Sequence, residues 1–425
     1  MTPDEGERAA RDWVAHLRSG GSTRWQEWLE SYAAAPSGEH VEHPGRPGHA
    51  ERPERCEHPD RPGRLPGAGQ LELLRRLAGA AAARTASTGA ADVDRDAAVF
   101  AALADRTLNR TGPGRGLPEL PLPMPGAGSA DAPAIGPRPV DPDDVPLEEL
   151  VRSATGLLVS ELVSAPSAEV ASPPAPPRPR RRLLATRYVV DGAPISSAAV
   201  RGALRQAGHV AGGSRATVVL VAAPLDVALA QVWSARAQHS AAARWQAFVS
   251  RSVRLGALPR AVDVAALARH WSDRVGVQRV HVVLDEDPLA GAAAALRLPT
   301  GPAPAPPYPP DVALTAAEVD LLRRVNEVLA VRVAADRADA IRARLVASLA
   351  ARRRPAAPMR LRVPDQHLPW LQQHAARLRE EIVRDGYAVH GDPARLGPLH
   401  EGPDRPLPDE VLALLLESVL DAAGL

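Results

Sequence analysis

An α/β layer built on a small, parallel, doubly wound sheet is the fold class predicted for the second half of this chain, and three observations predict it. Apolar, β-rich runs recur at residues 184–190, 217–222 and 279–284. Each is followed, directly or after a turn, by a helical segment, over residues 196–207, 225–238 and 289–296. Strands alternating with helices pair in parallel, because the helix returns the chain to the edge where the next strand must start. Gly208 and Gly276 stand where helices stop, since glycine tolerates the left-handed conformation that ends them.

The flanking elements follow from periodicity. Residues 1–34 read as N-terminal helices in which Trp13, Leu17, Trp25, Trp28, Leu29 and Tyr32 form apolar stripes, read as core. Residues 35–69 alternate Pro, Gly, His, Arg and Glu and bury too little apolar surface to offset chain ordering, so a disordered linker is expected. A helical region with a Pro-rich insert spans 70–165, and a Pro/Arg linker spans 166–182. The α/β domain covers 183–400, with further helices at 240–253 and 264–275. Its helical tail opens with a capping box, Thr315 and Glu318, and the spacing puts Leu321, Leu322, Val325, Val328 and Leu329 inward and Arg323, Arg324 and Glu327 outward. A C-terminal amphipathic helix, 401–425, carries the stripe Leu412, Leu415, Leu416, Val419 and Leu420, expected to cover the α/β core, with meeting a partner helix as the alternative.

Composition excludes more than it assigns. All 51 Lys+Arg positions are arginine, which removes Schiff-base chemistry, a lysine general base and the lysine of a phosphate loop. The formal charge of +1 gives no overall field toward nucleic acid or membrane. Cys56 is the single cysteine, so no disulfide framework exists within the sequence. The longest apolar run, residues 216–225, is about half of the roughly 20 residues needed to cross a bilayer. Without an apolar leader in "MTPDEGERAARDW", a cytoplasmic location is expected.

The stretch "YVVDGAPISSAAVRGALRQAG", residues 188–208, runs strand, tight turn, helix. A phosphate loop has that layout because successive backbone amides converge at a helix start, where the dipole adds positive potential. Here the turn offers one glycine and two hydroxyls but no cation. The segment resembles a degraded cofactor loop of the sulfotransferase family, whose pattern is Gly-x-Pro-Lys-(Ser/Thr)-Gly-Thr-Thr. Gly192 and Pro194 match, Ile195 stands at the lysine, Ser196 keeps the hydroxyl, and Ser197, Ala198 and Ala199 replace Gly-Thr-Thr. In "VVLVAAPLDVALAQVW" the resemblance places Ala223 at the arginine, and Gln231 at the serine, that bind the 3′-phosphate of the cofactor PAPS. "RVGVQRVHVVLDED", "AEVDLLRRVNEVL" and "GYAVHGD" are similar to later family elements, so the resemblance covers residues 183–398 and implies a P-loop-type sheet.

The resemblance thus implies a vestigial cofactor site, Gly192, Pro194, Ser196 and Ser197, with no PAPS bound. The expected function is a non-catalytic, sulfotransferase-like interaction or scaffold module with an unknown protein partner. Two alternatives stand beside it. One is a divergent sulfotransferase in which Arg201 or Arg215 replaces the lost cations. The other is a polyanion-binding module using "RPRRR" (178–182) and "ARRRP" (351–355), although neither run has interleaved aromatics and nucleic acid is not expected.

Other chemistry has bland readings. His40, His43, His49, Cys56 and His58 lack paired ligand spacings, so no metal site is assigned. A sulfotransferase would use a histidine or carboxylate as general base, but no spacing selects His209, His270 or His281, and His281 reads as structural. "DEDP", 285–288, ends a predicted strand and reads as a solvated turn with a helix cap. "GPGRG", 112–116, reads as a turn, because Pro113 removes a donor that a nucleotide loop would use.

Overall fold

The computed structural model describes residues 3–34, 66–88, 93–109, 140–165, 186–213, 215–298, 313–352 and 359–425. The chain divides into two compact units, Met1–Ala165 with Leu412–Leu425, and Pro166–Val411. The linker runs 35–65 and 166–182, the histidine and cysteine cluster, the GPGRG turn and the RPRRR run all lie outside the described residues.

The first unit is helical: α1 (Pro3–Arg18), α2 (Trp25–Ala34), α3 (Ala68–Thr88), α4 (Val93–Leu108), α5 (Leu147–Ser164) and most of α14 (Pro408–Ala423). Its tryptophans are core. Trp13 and Trp25 are buried with ring centroids 4.9 Å apart, and the Trp13 indole donates to the Thr23 carbonyl at 3.0 Å. Buried Glu72 accepts from Arg75 and Arg76 one turn on, and Arg106 of α4 grips Glu161 of α5 through two bonds. The apolar stripe of α14 was expected over the α/β core. Instead, Leu412–Leu425 completes this helical unit, where Arg84 of α3 pairs with Asp421 at 2.5 Å.

The second unit is α/β. Five parallel strands, β1 (Arg187–Gly192), β2 (Val210–Ala211), β3 (Thr217–Val221), β4 (Val280–Leu284) and β5 (Ala388–Gly391), lie in the order 2-1-3-4-5. The helices are α6 (Pro194–Gln206), α7 (Leu225–His239), α8 (Trp245–Arg254), α9 (Val264–Val275), α10 (Pro288–Ala295), α11 (Ala316–Arg332), α12 (Ala335–Ala351) and α13 (Leu368–Arg384). One sheet face buries Tyr188, Val190, Val219, Val221 and Val283 against Val200 and Leu204 of α6 and Ala292 and Ala295 of α10. The α9 indole of Trp271 bonds Asp191, which alternation places on the other face, so the sheet is doubly wound. The order reverses between β1 and β3. That makes their carboxyl ends the topological switch point, where ligands of such sheets bind.

The capping box forms, with the Thr315 amide donating to Glu318 at 2.7 Å and the Glu318 amide to Thr315 Oγ1 at 3.3 Å. The outward assignment of Arg323 is corrected: it is 1% exposed. Helix α11 is enclosed on more than one side, packing against both α7 and α12, so a single-stripe reading fails there. Arg323 donates to Asp320 at 2.6 Å and to Glu327 at 2.7 Å, while Arg324 takes the second Asp320 oxygen at 2.7 Å. Burial by itself raises the Asp320 pKa. The adjacent guanidiniums outweigh it and hold the carboxyl below its ordinary range.

Candidate functional site

At the switch point β1 leaves the sheet through Gly192, whose φ of +114° suits only glycine. A Cβ there would collide with the Val221 carbonyl oxygen of β3. The next amide, Ala193, donates to that same oxygen at 2.8 Å, and the chain turns at once into α6 with Pro194 in its first turn. Proline has no amide hydrogen and Ala193 has no capping side chain. The first free donors of α6 are therefore the Ile195 and Ser196 amides. This is the geometry of an anion cradle.

The cradle is filled from within. Gln231, in the second turn of α7, points its carboxamide at the α6 start and is 9% exposed. Its Oε1 accepts from both the Ile195 and Ser196 amides at 3.1 Å, and its Nε2 donates to Ser196 Oγ at 2.9 Å. A neutral oxygen thus sits where a phosphate oxygen would, and the amide's other end locks the serine. Ser197 is buried, and among the described residues its Oγ has no hydrogen-bond partner. Of the four sequence-predicted residues, Gly192, Pro194 and Ser196 build the turn, and Ser197 packs behind it. Ile195 is half-buried where the resemblance would place lysine.

The neighbouring helix start is occupied too. Asp226, 3% exposed in the first turn of α7, accepts from its own Val227 amide at 3.0 Å and from the His400 amide at 2.8 Å. His400 sits at a φ of +56° and also pairs with Asp365 at 3.1 Å, so the C-terminal loop is strapped down beside the turn that holds Ala223. The third helix start, that of α10, is capped by Asp287, which accepts from the Leu289 and Ala290 amides at 2.9 and 3.2 Å. Asp285 accepts from the Asp287 amide, and Glu286 pairs with Arg395 at 2.7 Å. The DEDP segment is a turn with a helix cap, and the carboxyl end of the sheet is acidic.

Neither replacement arginine reaches the cradle. Arg201 lies seven residues into α6, about 10 Å along the axis, and donates to the Val190 carbonyl of β1 at 3.2 Å. Arg215 precedes β3 and so lies at the amino end of the sheet, opposite the Gly192 turn. Among the described residues, the hydrogen bonds of Ile195, Ser196 and Gln231 side chains and amides involve no guanidinium.

The histidines lie apart from the turn. His209 precedes β2, and His270 stands edge-on to Trp271. His281 of β4 meets His390 of β5, Nδ1 to Nε2, at 2.9 Å. Burial lowers both pKa values, and for His281 the neighbouring His390 and Arg297 lower it further. Among the described residues, no group of three or more His, Cys, Asp or Glu is placed to hold a metal ion, and no helix is long and apolar enough to cross a membrane.

Sequence reasoning missed Gln231 as the group that fills the cradle, Asp226 as the anchor of the C-terminal loop, and His390 as the partner of His281. The first two depend on how α7 is aimed, and spacing carries no signal for that. No protein-family model, curated protein or solved structure matches the chain.

Proposed function

We propose that residues 183–400 form a sulfotransferase-like module that has lost its cofactor and acts, in the cytoplasm, as an interaction or scaffold element rather than a catalyst. One observation carries this reading: the Gln231 carboxamide occupies the amides that would receive the phosphosulfate. A ligand must displace a buried group holding three hydrogen bonds before it gains any of its own. Among the described residues it would meet no compensating cation there.

Charge-assisted bonds to an anion are worth roughly 1.5–3 kcal/mol each, so replacing the two family cations by Ile195 and Ala223 costs on the order of 3–6 kcal/mol. That is about a hundredfold to ten-thousandfold in affinity. Sulfuryl transfer also needs positive charge at the leaving bridge oxygen, and the acidic carboxyl end of the sheet supplies the opposite sign. The divergent-enzyme reading draws no support from Arg201, which is engaged with Val190, or from Arg215, at the far end of the sheet.

Isothermal titration of the full chain with PAPS and with its desulfated product tests the reading. The expected result is no binding heat at millimolar ligand. Micromolar affinity for either nucleotide would restore the enzyme reading.

A further inference from the structure

We propose that the solvent face of α8 is a docking surface for an acidic protein segment. Residues 240–262 contain Arg244, Arg251, Arg254 and Arg260 and not one Asp or Glu. Arg244 is the N-cap residue of α8, and at about 100° per residue Arg251 falls within roughly 20° of it and Arg254 roughly 60° further round. Trp245, Phe248, Val249 and Ser252 are buried, and the same counting puts them roughly 40° to 140° from Arg244 in the other direction.

All four arginines are exposed, and none has an ion-pair or hydrogen-bond partner among the described residues. Other exposed arginines of this unit are matched, Arg269 with Glu381 at 2.8 Å, Arg384 with Asp385 at 3.1 Å and Arg360 with Glu401, while unmatched ones such as Arg379 and Arg405 lie on other segments. Arg236 of α7 adds a further charge, its guanidinium carbon 5.1 Å from the centre of the Phe248 ring. Two carboxylates at the flanks are committed. Asp404 takes Gln246 at 3.4 Å, and Asp365 takes His400 at 3.1 Å and Arg362 at 3.9 Å.

Complementing the helix dipole explains cations in a last turn, Arg251 and Arg254 of α8 and Arg236 of α7, but not Arg244 or Arg260. The platform beneath is held in place, because the Trp245 indole donates to the Arg362 carbonyl at 3.1 Å and packs against Trp233 and Phe248.

A protein partner fits better than a nucleic acid. Single strands are held by aromatic faces on which bases stack, and here Trp245 and Phe248 are buried. What the face does expose is Leu255, 69% accessible at the end of α8 beside the arginines. An acidic segment with an apolar side chain uses both features, the charges for steering and the leucine for burial.

The inference rests on the reading of this unit as an interaction module. Its test uses the full chain and a fluorescein-labelled peptide of roughly twelve residues, Glu and Asp with two leucines, followed by fluorescence anisotropy. An oligothymidylate of matched charge is the comparator. The expected result is saturable peptide binding that weakens between about 50 and about 300 mM salt. It falls about tenfold or more in Arg244→Ser/Arg251→Ser/Arg254→Ser and by a smaller factor in Leu255→Ser. The control Arg379→Ser/Arg405→Ser binds like the parent. The proposal is overturned if the peptide does not bind, if the control loses as much as the α8 variant, or if the oligonucleotide binds as tightly as the peptide. Peptide failure with a silent PAPS titration removes the docking surface and leaves the loss of cofactor standing. PAPS binding removes the latter, whatever the peptide does.

Discussion

Gln231 is a neutral side chain doing the work of a bound anion, and substitution separates those two roles. Gln231→Ala leaves the Ile195 and Ser196 amides without acceptors and costs about 1–3 kcal/mol, read as a lower urea midpoint with an unchanged slope. Gln231→Glu keeps both accepted bonds, lets Ser196 turn its hydroxyl to donate, and adds a negative charge at the α6 N-terminus. It should therefore retain most of the parent's stability at neutral pH and lose it on acidification. If the glutamate variant is instead as unstable at neutral pH as the alanine variant, the turn lacks the electrostatic character of an anion cradle. The individual residues of this site, Gly192, Pro194 and Ser196, were legible in the sequence. Its occupant was not, because 35 residues and the aim of another helix separate Gln231 from Ser196.

At the scale of elements, strand–turn–helix alternation is local and was readable. β1, β3, β4 and the helices after them lie close to where apolar runs and glycine stops put them. β2 was not, because Val210–Ala211 is only two residues long and both are exposed. Arg323 was misassigned for a different reason: periodicity identifies one buried stripe, whereas α11 is buried on several sides.

That burial gives a prediction. Arg323→Met strands the Asp320 carboxylate beside Arg324 alone and costs about 3–5 kcal/mol by chemical denaturation, the usual penalty for breaking a buried pair. Asp320→Asn removes the acid-sensitive group itself. The folded-state pKa of Asp320 is depressed, so its contribution is present above the unfolded value near 3.9 and is lost as pH falls through the lower folded value. Relative to the parent, Asp320→Asn should show a flatter loss of stability below about pH 4.

The histidines set a second window. Burial depresses His281, His374 and His390, so as pH falls below about 6.5 the unfolded chain takes up protons first and the native state loses stability until the folded values are passed. Tm should therefore fall between about pH 7 and pH 5. His390→Gln should remove part of that slope, and an unchanged slope would show that the β4–β5 pair does not titrate in this range.

For the whole molecule, the two units make a prediction through α14. Removing residues 412–425 takes Leu415, Val419 and Leu420 out of the helical unit's core. Hydrogen exchange should then accelerate in α1 and α3 while β1, β3 and β4 keep their protection, and acceleration in the sheet would contradict the division. The order of synthesis follows from the same arrangement. The unit that begins first is finished last, since its closing wall is translated after the entire α/β segment. Residues 166–411 are complete while the earlier helices still expose an unfilled apolar flank. The nascent chain thus matures from its middle outward, against the usual N-terminal-first order. A nascent chain whose residue 411 has just cleared the ribosome would carry a finished sheet and a sticky, half-closed bundle.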